Sequence, residues 1–153
     1  MSSVATHAGV VRTVDVRGPR FGAWITTVVL ALALLTGSGV LVAVQAVVFA
    51  VGAFAGLRYA PYGVVFRLLV APRLGPARER EPEAPPRFAQ LVGLIFAVVG
   101  ATGYLLGAPV LGAVATGLAL VAALLNAATG FCLGCELYLI ARRVLPARAA
   151  NTA

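Results

Sequence analysis

Cys132 and Cys135 are the only two cysteines of the chain, separated by Leu133 and Gly134. Cys-x-x-Cys is the spacing of thiol–disulfide exchange, in which one thiolate attacks and the second resolves the mixed disulfide. Two local geometries are open. If a helix runs through the motif, the two Cβ atoms stand about 5–6 Å apart on one face. A relaxed disulfide needs roughly 3.5–4.5 Å, so oxidation there is strained and easily reversed. If instead Gly130 ends one helix and another begins at Cys132, the first thiol faces unpaired backbone N–H groups that favour a thiolate. Both geometries suit a reversible dithiol with Cys132 attacking and Cys135 resolving. Two other readings compete: small apolar side chains packed in a helix, and half of a soft-metal site completed by a dimer or another ligand.

Little else in the chain could do chemistry. Glu136 beside the pair is expected to form an ion pair with Arg142 or Arg143. The lone histidine, His7, reads as incidental. The apolar runs hold no carboxylate or lysine, which argues against a charged proton relay. The glycines match neither a dinucleotide fingerprint nor a phosphate-binding loop, and no cofactor is implied.

The elements that must position the cysteines are written in the hydropathy. Hydrophobic residues make up 61% of the 153 positions and charged residues 11%, and mean hydropathy is +0.98. A soluble domain has about 25% charged residues. Four segments approach the roughly 20 apolar residues of a spanning helix: about 21–36, 40–58, 88–106 and 109–130. The expected fold is all-α, a four-helix transmembrane bundle occupying residues 19–145.

All twelve basic residues are arginine. They fall before the first run, between the second and third, and after the fourth. The two remaining turns carry no ionisable side chain. The positive-inside rule then places both termini and the central loop in the cytoplasm, and the composition suggests a bacterial plasma membrane. A cleaved signal peptide is the other reading of the first run, but the second run follows at once. Membrane topology accounts for the net charge of +7 without nucleic acid, leaving the lipid bilayer as the implied partner; a homo-oligomer is compatible with this reading.

Residues 1–18 read as a disordered cytoplasmic tail, 72–86 as a solvated proline-rich linker with mixed charge, and 146–153 as a second tail. Pro61 is expected to break the second span near its end, followed by a short interfacial helix with Arg67 and Arg73. The halves resemble one another: Pro19-Arg20-Phe21 matches Pro86-Arg87-Phe88, and Tyr59–Phe66 matches Phe131–Tyr138. This points to a duplicated two-helix hairpin. Gly52/Gly56, Gly103/Gly107 and Gly130/Gly134 are small-xxx-small pairs suited to close helix packing. Gln45 and Asn126, both within spans, are expected to hydrogen-bond to neighbouring helices.

Asp15–Phe21, Tyr59–Gly63, Pro86–Gln90 and above all Asn126–Tyr138 together resemble a bacterial membrane family catalogued as domain of unknown function 4395, over roughly residues 14–143. In that resemblance Cys132 and Cys135 match the paired cysteines of the family. It implies a small multi-span protein, with thioredoxin-like or sulfurtransferase proteins as partners. The expected function is therefore a thiol–disulfide or sulfur-relay component. Two alternatives stand beside it: a non-enzymatic scaffold with packing cysteines, and a small carrier for a sulfur species or soft metal.

Overall fold

A computed structural model describes residues 11–145; His7 and the two tails beyond that range lie outside the described residues. In chain order the elements are β1 (Thr13–Asp15), α1 (Arg17–Thr36) and α2 (Gly39–Ala50), which continues as a π-helical turn over Val51–Ala55. There follow α3 (Pro61–Val65), a second π turn (Phe66–Val70) and α4 (Ala71–Leu74). The chain closes with β2 (Arg80–Pro82), α5 (Ala84–Leu105), α6 (Pro109–Thr129) and α7 (Leu133–Val144).

Three helices, α1, α5 and α6, are long and apolar enough to cross a membrane, as a membrane protein requires. The fourth apolar helix, Gly39–Ala55, is shorter. Its 12 α-helical and 5 π-helical residues rise about 26 Å, against a hydrocarbon core of roughly 30 Å. It ends three residues earlier than the sequence suggests. Gly56 adopts φ 105°, a conformation that only glycine takes at little cost. Pro61 therefore does not break this helix; it opens the next one, where its missing N–H costs nothing.

The hairpin α1–α2 packs against the hairpin α5–α6, with α1 on α6 and α2 on α5. The core between them is small: Ala33, Val42, Ala46, Phe49, Ala97 and Ala101, with Leu30 fully buried nearby. Large side chains point outward instead, and Val28, Leu32, Leu118 and Val121 are each more than half exposed. In water that surface would be a large apolar patch. In lipid it is solvated, and small residues inside let the helices approach.

Each glycine pair divides its labour. Gly52, Gly103 and Gly134 are packing points where an added Cβ would lie within 3 Å of a neighbouring segment. Gly56, Gly107 and Gly130 have positive φ and turn the chain. The pairs are therefore not helix-contact motifs, although the spacing looks the same.

Gln45 is fully buried. Its Nε2 donates to Thr26 Oγ1 at 3.3 Å and its Oε1 accepts the Tyr62 hydroxyl at 2.7 Å, joining α2 to α1 and α3. Burial raises the Tyr62 phenol above its ordinary range, so it stays a donor near neutral pH. Asn126 is only half-buried and contributes its backbone carbonyl to the end of α6; of the two amides, Gln45 alone bridges helices among the described residues.

The starts of α1 and α5 and the ends of α2 and α6 share one end of the bundle. Arg20 donates to the carbonyls of Ala127 (3.0 Å) and Ala128 (3.1 Å). Arg87 donates to those of Ala53 (2.7 Å) and Phe54 (2.9 Å). Beside Arg87, the buried Glu83 accepts the Leu57 N–H at 2.8 Å.

Residues 11–18 were expected within a disordered tail and 72–86 as an open linker. The structure instead pairs β1 with β2, antiparallel, with Thr13 opposite Pro82 and Asp15 opposite Arg80. Arg17 grips the Asp15 carboxylate and reaches the Gly75 carbonyl, while Arg80 holds Thr13. Strands of three residues have too short a period to read in a charged, proline-rich stretch.

Tyr62→Phe strands a buried amide oxygen and is expected to destabilise the detergent-solubilised protein by about 1 kcal/mol, within the usual cost of an unmade buried hydrogen bond. Gln45→Leu, which removes the need for the bond, is expected to cost less in the same thermal melt. The Arg17 hydrogen bonds hold the Asp15 carboxyl below its ordinary value of 3.8. A carboxyl depressed in the folded state contributes stability above its unfolded pKa, and that contribution is lost as pH falls through the folded value. Protection of the β1–β2 amides against hydrogen exchange, taken relative to the unfolded rate at each pH, should therefore fall below the ordinary carboxylate range, and Asp15→Asn should remove that acid step at a cost under about 1 kcal/mol at neutral pH.

Candidate functional site

The cysteine motif sits where α6 gives way to α7. Gly130, at φ 77°, ends α6 in the left-handed conformation while its N–H bonds to the Asn126 carbonyl. The Thr129 hydroxyl donates back to Leu125 O and accepts the Phe131 N–H. The chain then turns extended at Cys132, the N-cap of α7. Of the two geometries open from the sequence, the chain takes the one in which a new helix begins at the first cysteine.

Cys132 and Cys135 are joined as a disulfide, with Cα atoms 5.2 Å apart. The Cys132 Sγ also accepts the Cys135 backbone N–H at 3.3 Å. One of the orphan donors at the start of α7 is therefore aimed at this sulfur. Both cysteines are half-buried, and the exposed side chains of Phe131 and Leu133 flank them.

Two supports fix the motif, and neither is legible as a site residue in the sequence. On one side Arg20 holds the last carbonyls of α6, immediately before the turn. On the other, Gly134 lies so close to α5 that a Cβ there would stand 2.5 Å from both Cα and Cβ of Ala89. One turn later, the Tyr138 ring meets Phe88 of α5 at 5.8 Å, tilted 51°. The signal available in the sequence was the repeated Pro-Arg-Phe, which marks Arg20, Arg87, Phe21 and Phe88 as a set but not what they touch.

Glu136 does not pair with Arg142 or Arg143; among the described residues the only ion pair is Arg17–Asp15. The reason is helical: residues six and seven positions on lie nearly two turns away, beyond the three- or four-residue spacing at which side chains meet. Glu136 instead occupies the first turn of α7, where a negative charge is favoured. Among the described residues no group of three or more His, Cys, Asp or Glu comes together to hold a metal.

The arrangement presents a half-buried disulfide at a helix start, on a segment held from both sides. Gly134→Ala is expected to force α7 off α5 and cost about 1–3 kcal/mol, the range of overpacking. Ala89→Gly in the same chain should recover only part of that loss, because the Cα of residue 89 is itself in the way. Thermal melts of the two variants in detergent check this.

No curated protein and no solved structure matches this chain. Residues 14–143 match the family model described as "Domain of unknown function (DUF4395)". The matched stretch runs from β1 through the disulfide to the last turn of α7, and the chain belongs to that family.

Proposed function

We propose that the chain is a four-span protein of a bacterial plasma membrane, with both termini cytoplasmic, that exchanges disulfides with a soluble thioredoxin-like partner through Cys132 and Cys135. The observation that carries the reading is the disulfide at the N-cap of α7, with a backbone N–H bonded to Cys132 Sγ. The reduced pair acts as follows. The Cys132 thiolate attacks a sulfur of the partner disulfide and forms a mixed disulfide, expelling one partner thiolate. The Cys135 thiolate then attacks Cys132 Sγ and releases the second. Two electrons pass to the partner, and the pair becomes the Cys132–Cys135 disulfide. A sulfurtransferase partner carrying a persulfide is compatible with the same pair: the Cys132 thiolate attacks the outer sulfur, the partner's S–S bond breaks, the partner thiolate leaves, and Cys132 holds the sulfur as a persulfide.

In this reading Gly39–Ala55 is the fourth span, its shortness met by local bilayer thinning. The shared location of the arginines at one end of the bundle supports a cytoplasmic assignment for that end. Matching contacts in the two hairpins support a duplicated origin. Arg20 and Arg87 each close a helix of the other hairpin, and Phe21–Phe66 at 5.7 Å parallels Phe88–Tyr138 at 5.8 Å. Gly22 lies against Tyr62 where Ala89 lies against Gly134.

Differential alkylation in intact cells, with and without a mild oxidant, tests the proposal. A pair that cycles between dithiol and disulfide is expected. A pair that stays reduced and resists alkylation would overturn the exchange reading. So would full rescue of a deletion strain by the Cys132→Ser/Cys135→Ser double variant.

A further inference from the structure

The helix that carries the disulfide has an apolar stripe that no other described residue covers. Leu133, Leu137, Ile140 and Val144 fall within about 60° of one another around α7, and they are between 40% and 66% exposed. The face about 100° round from the stripe carries Gly134 and Tyr138, which pack on α5. Cys135 and Arg142 lie nearly opposite the stripe. The helix is therefore divided three ways, into a protein-facing strip, an uncovered apolar strip and a mixed strip on which Cys135 and Arg142 lie beside Leu139.

The chain fixes the level of this helix. α6 ends at Thr129 and α7 begins at Leu133, so the two helix ends stand at most about 14 Å apart. At its start, Gly134 and Tyr138, one turn apart, meet the adjacent α5 residues Ala89 and Phe88. Contacts that advance a full turn on α7 and a single residue on α5 put α7 across the first turns of α5 rather than alongside it. The helix therefore lies flat at the level where α5 and α6 have their ends.

We infer that α7 is an in-plane helix seated in the anionic leaflet, with Leu133, Leu137, Ile140 and Val144 sunk among the acyl chains and Arg143 at the phosphate level. This rests on the membrane reading proposed above and adds a lipid surface as the occupant of that stripe. Charge selects the occupant. Arg142 and Arg143 close the helix, Glu136 is its only acid, and a leaflet rich in anionic headgroups attracts such a basic segment. The first hairpin has its counterpart in the helix Pro61–Leu74, which leaves Val65, Leu68 and Leu69 exposed beside Arg67. Seating α7 in this way turns Cys135 away from lipid and towards water, so the bilayer itself aims the disulfide at a soluble reagent.

Tryptophan quenching in the reconstituted full-length chain tests this. Trp24 is the only tryptophan, so Trp24→Phe provides a dark background. In that background Ile140→Trp, Glu136→Trp and, as a reference on the exposed flank of α6, Leu118→Trp are placed in vesicles of phosphatidylcholine and phosphatidylglycerol with brominated chains. The expected result is that Leu118→Trp and Ile140→Trp lose most of their emission to the brominated lipid, while Glu136→Trp is quenched by aqueous iodide. Replacing phosphatidylglycerol by phosphatidylcholine should weaken the lipid quenching of Ile140→Trp and leave Leu118→Trp unchanged. Iodide quenching of Ile140→Trp would overturn the proposal, and shielding from both quenchers would overturn it in favour of a protein occupant such as a second copy. If Leu118→Trp also escapes the brominated lipid, the membrane reading itself fails. Leu137→Trp, one turn earlier on the same stripe, repeats the measurement should Ile140→Trp not fold.

Discussion

The last four carbonyls of a helix have no partner within it, and where two helices end side by side those carbonyls can be closed from the neighbouring helix. In this protein two arginines do so, each reaching from one hairpin into the other. Arg20 at the start of α1 takes the final carbonyls of α6, and Arg87 at the start of α5 takes those ending the α2 helix. A guanidinium suits the task, since its fork donates to two successive carbonyls and keeps its charge at any physiological pH. The exchange locks the hairpins together at one end of the bundle and fixes the height of everything attached there.

What is attached there is nearly all of the polar structure of the chain. The β1–β2 ribbon, the helix Pro61–Leu74 and the disulfide turn all gather around the arginine-held ends. Glu83 and Arg87 work as a pair without touching as an ion pair: one takes an N–H after Gly56, the other the carbonyls before it. The opposite end is bare by comparison, two short turns over which Tyr104 packs on Gly112. The bundle between them has small residues inside and large ones outside, as association in lipid demands, where close backbone approach replaces hydrophobic burial.

The cysteine pair takes its character from this arrangement. A Cys-x-x-Cys inside a continuous helix would be two half-packed thiols. Here the left-handed turn at Gly130 starts a fresh helix, and the first sulfur becomes its cap. Arg20 holds the carbonyls before the turn, and Gly134 lies against Ala89 after it. The disulfide therefore sits on a segment held on both sides by contacts with the rest of the bundle.

Much of this was legible in the residues. Apolar runs long enough to cross a bilayer, and arginines kept out of their interiors, are properties of composition alone. The Pro-Arg-Phe repeat and the Cys-x-x-Cys spacing could be read in the same way. What a glycine does could not. Gly130 and Gly134 share the spacing of a packing motif, yet one has positive φ and the other sits against a backbone 45 residues earlier in the chain. The β1–β2 pairing, the target of Gln45 and the carbonyls under Arg20 and Arg87 likewise join residues far apart in sequence. Composition and periodicity report the solvent around each segment; contacts between distant segments exist only once the hairpins have packed, and they decide which geometry the cysteines adopt.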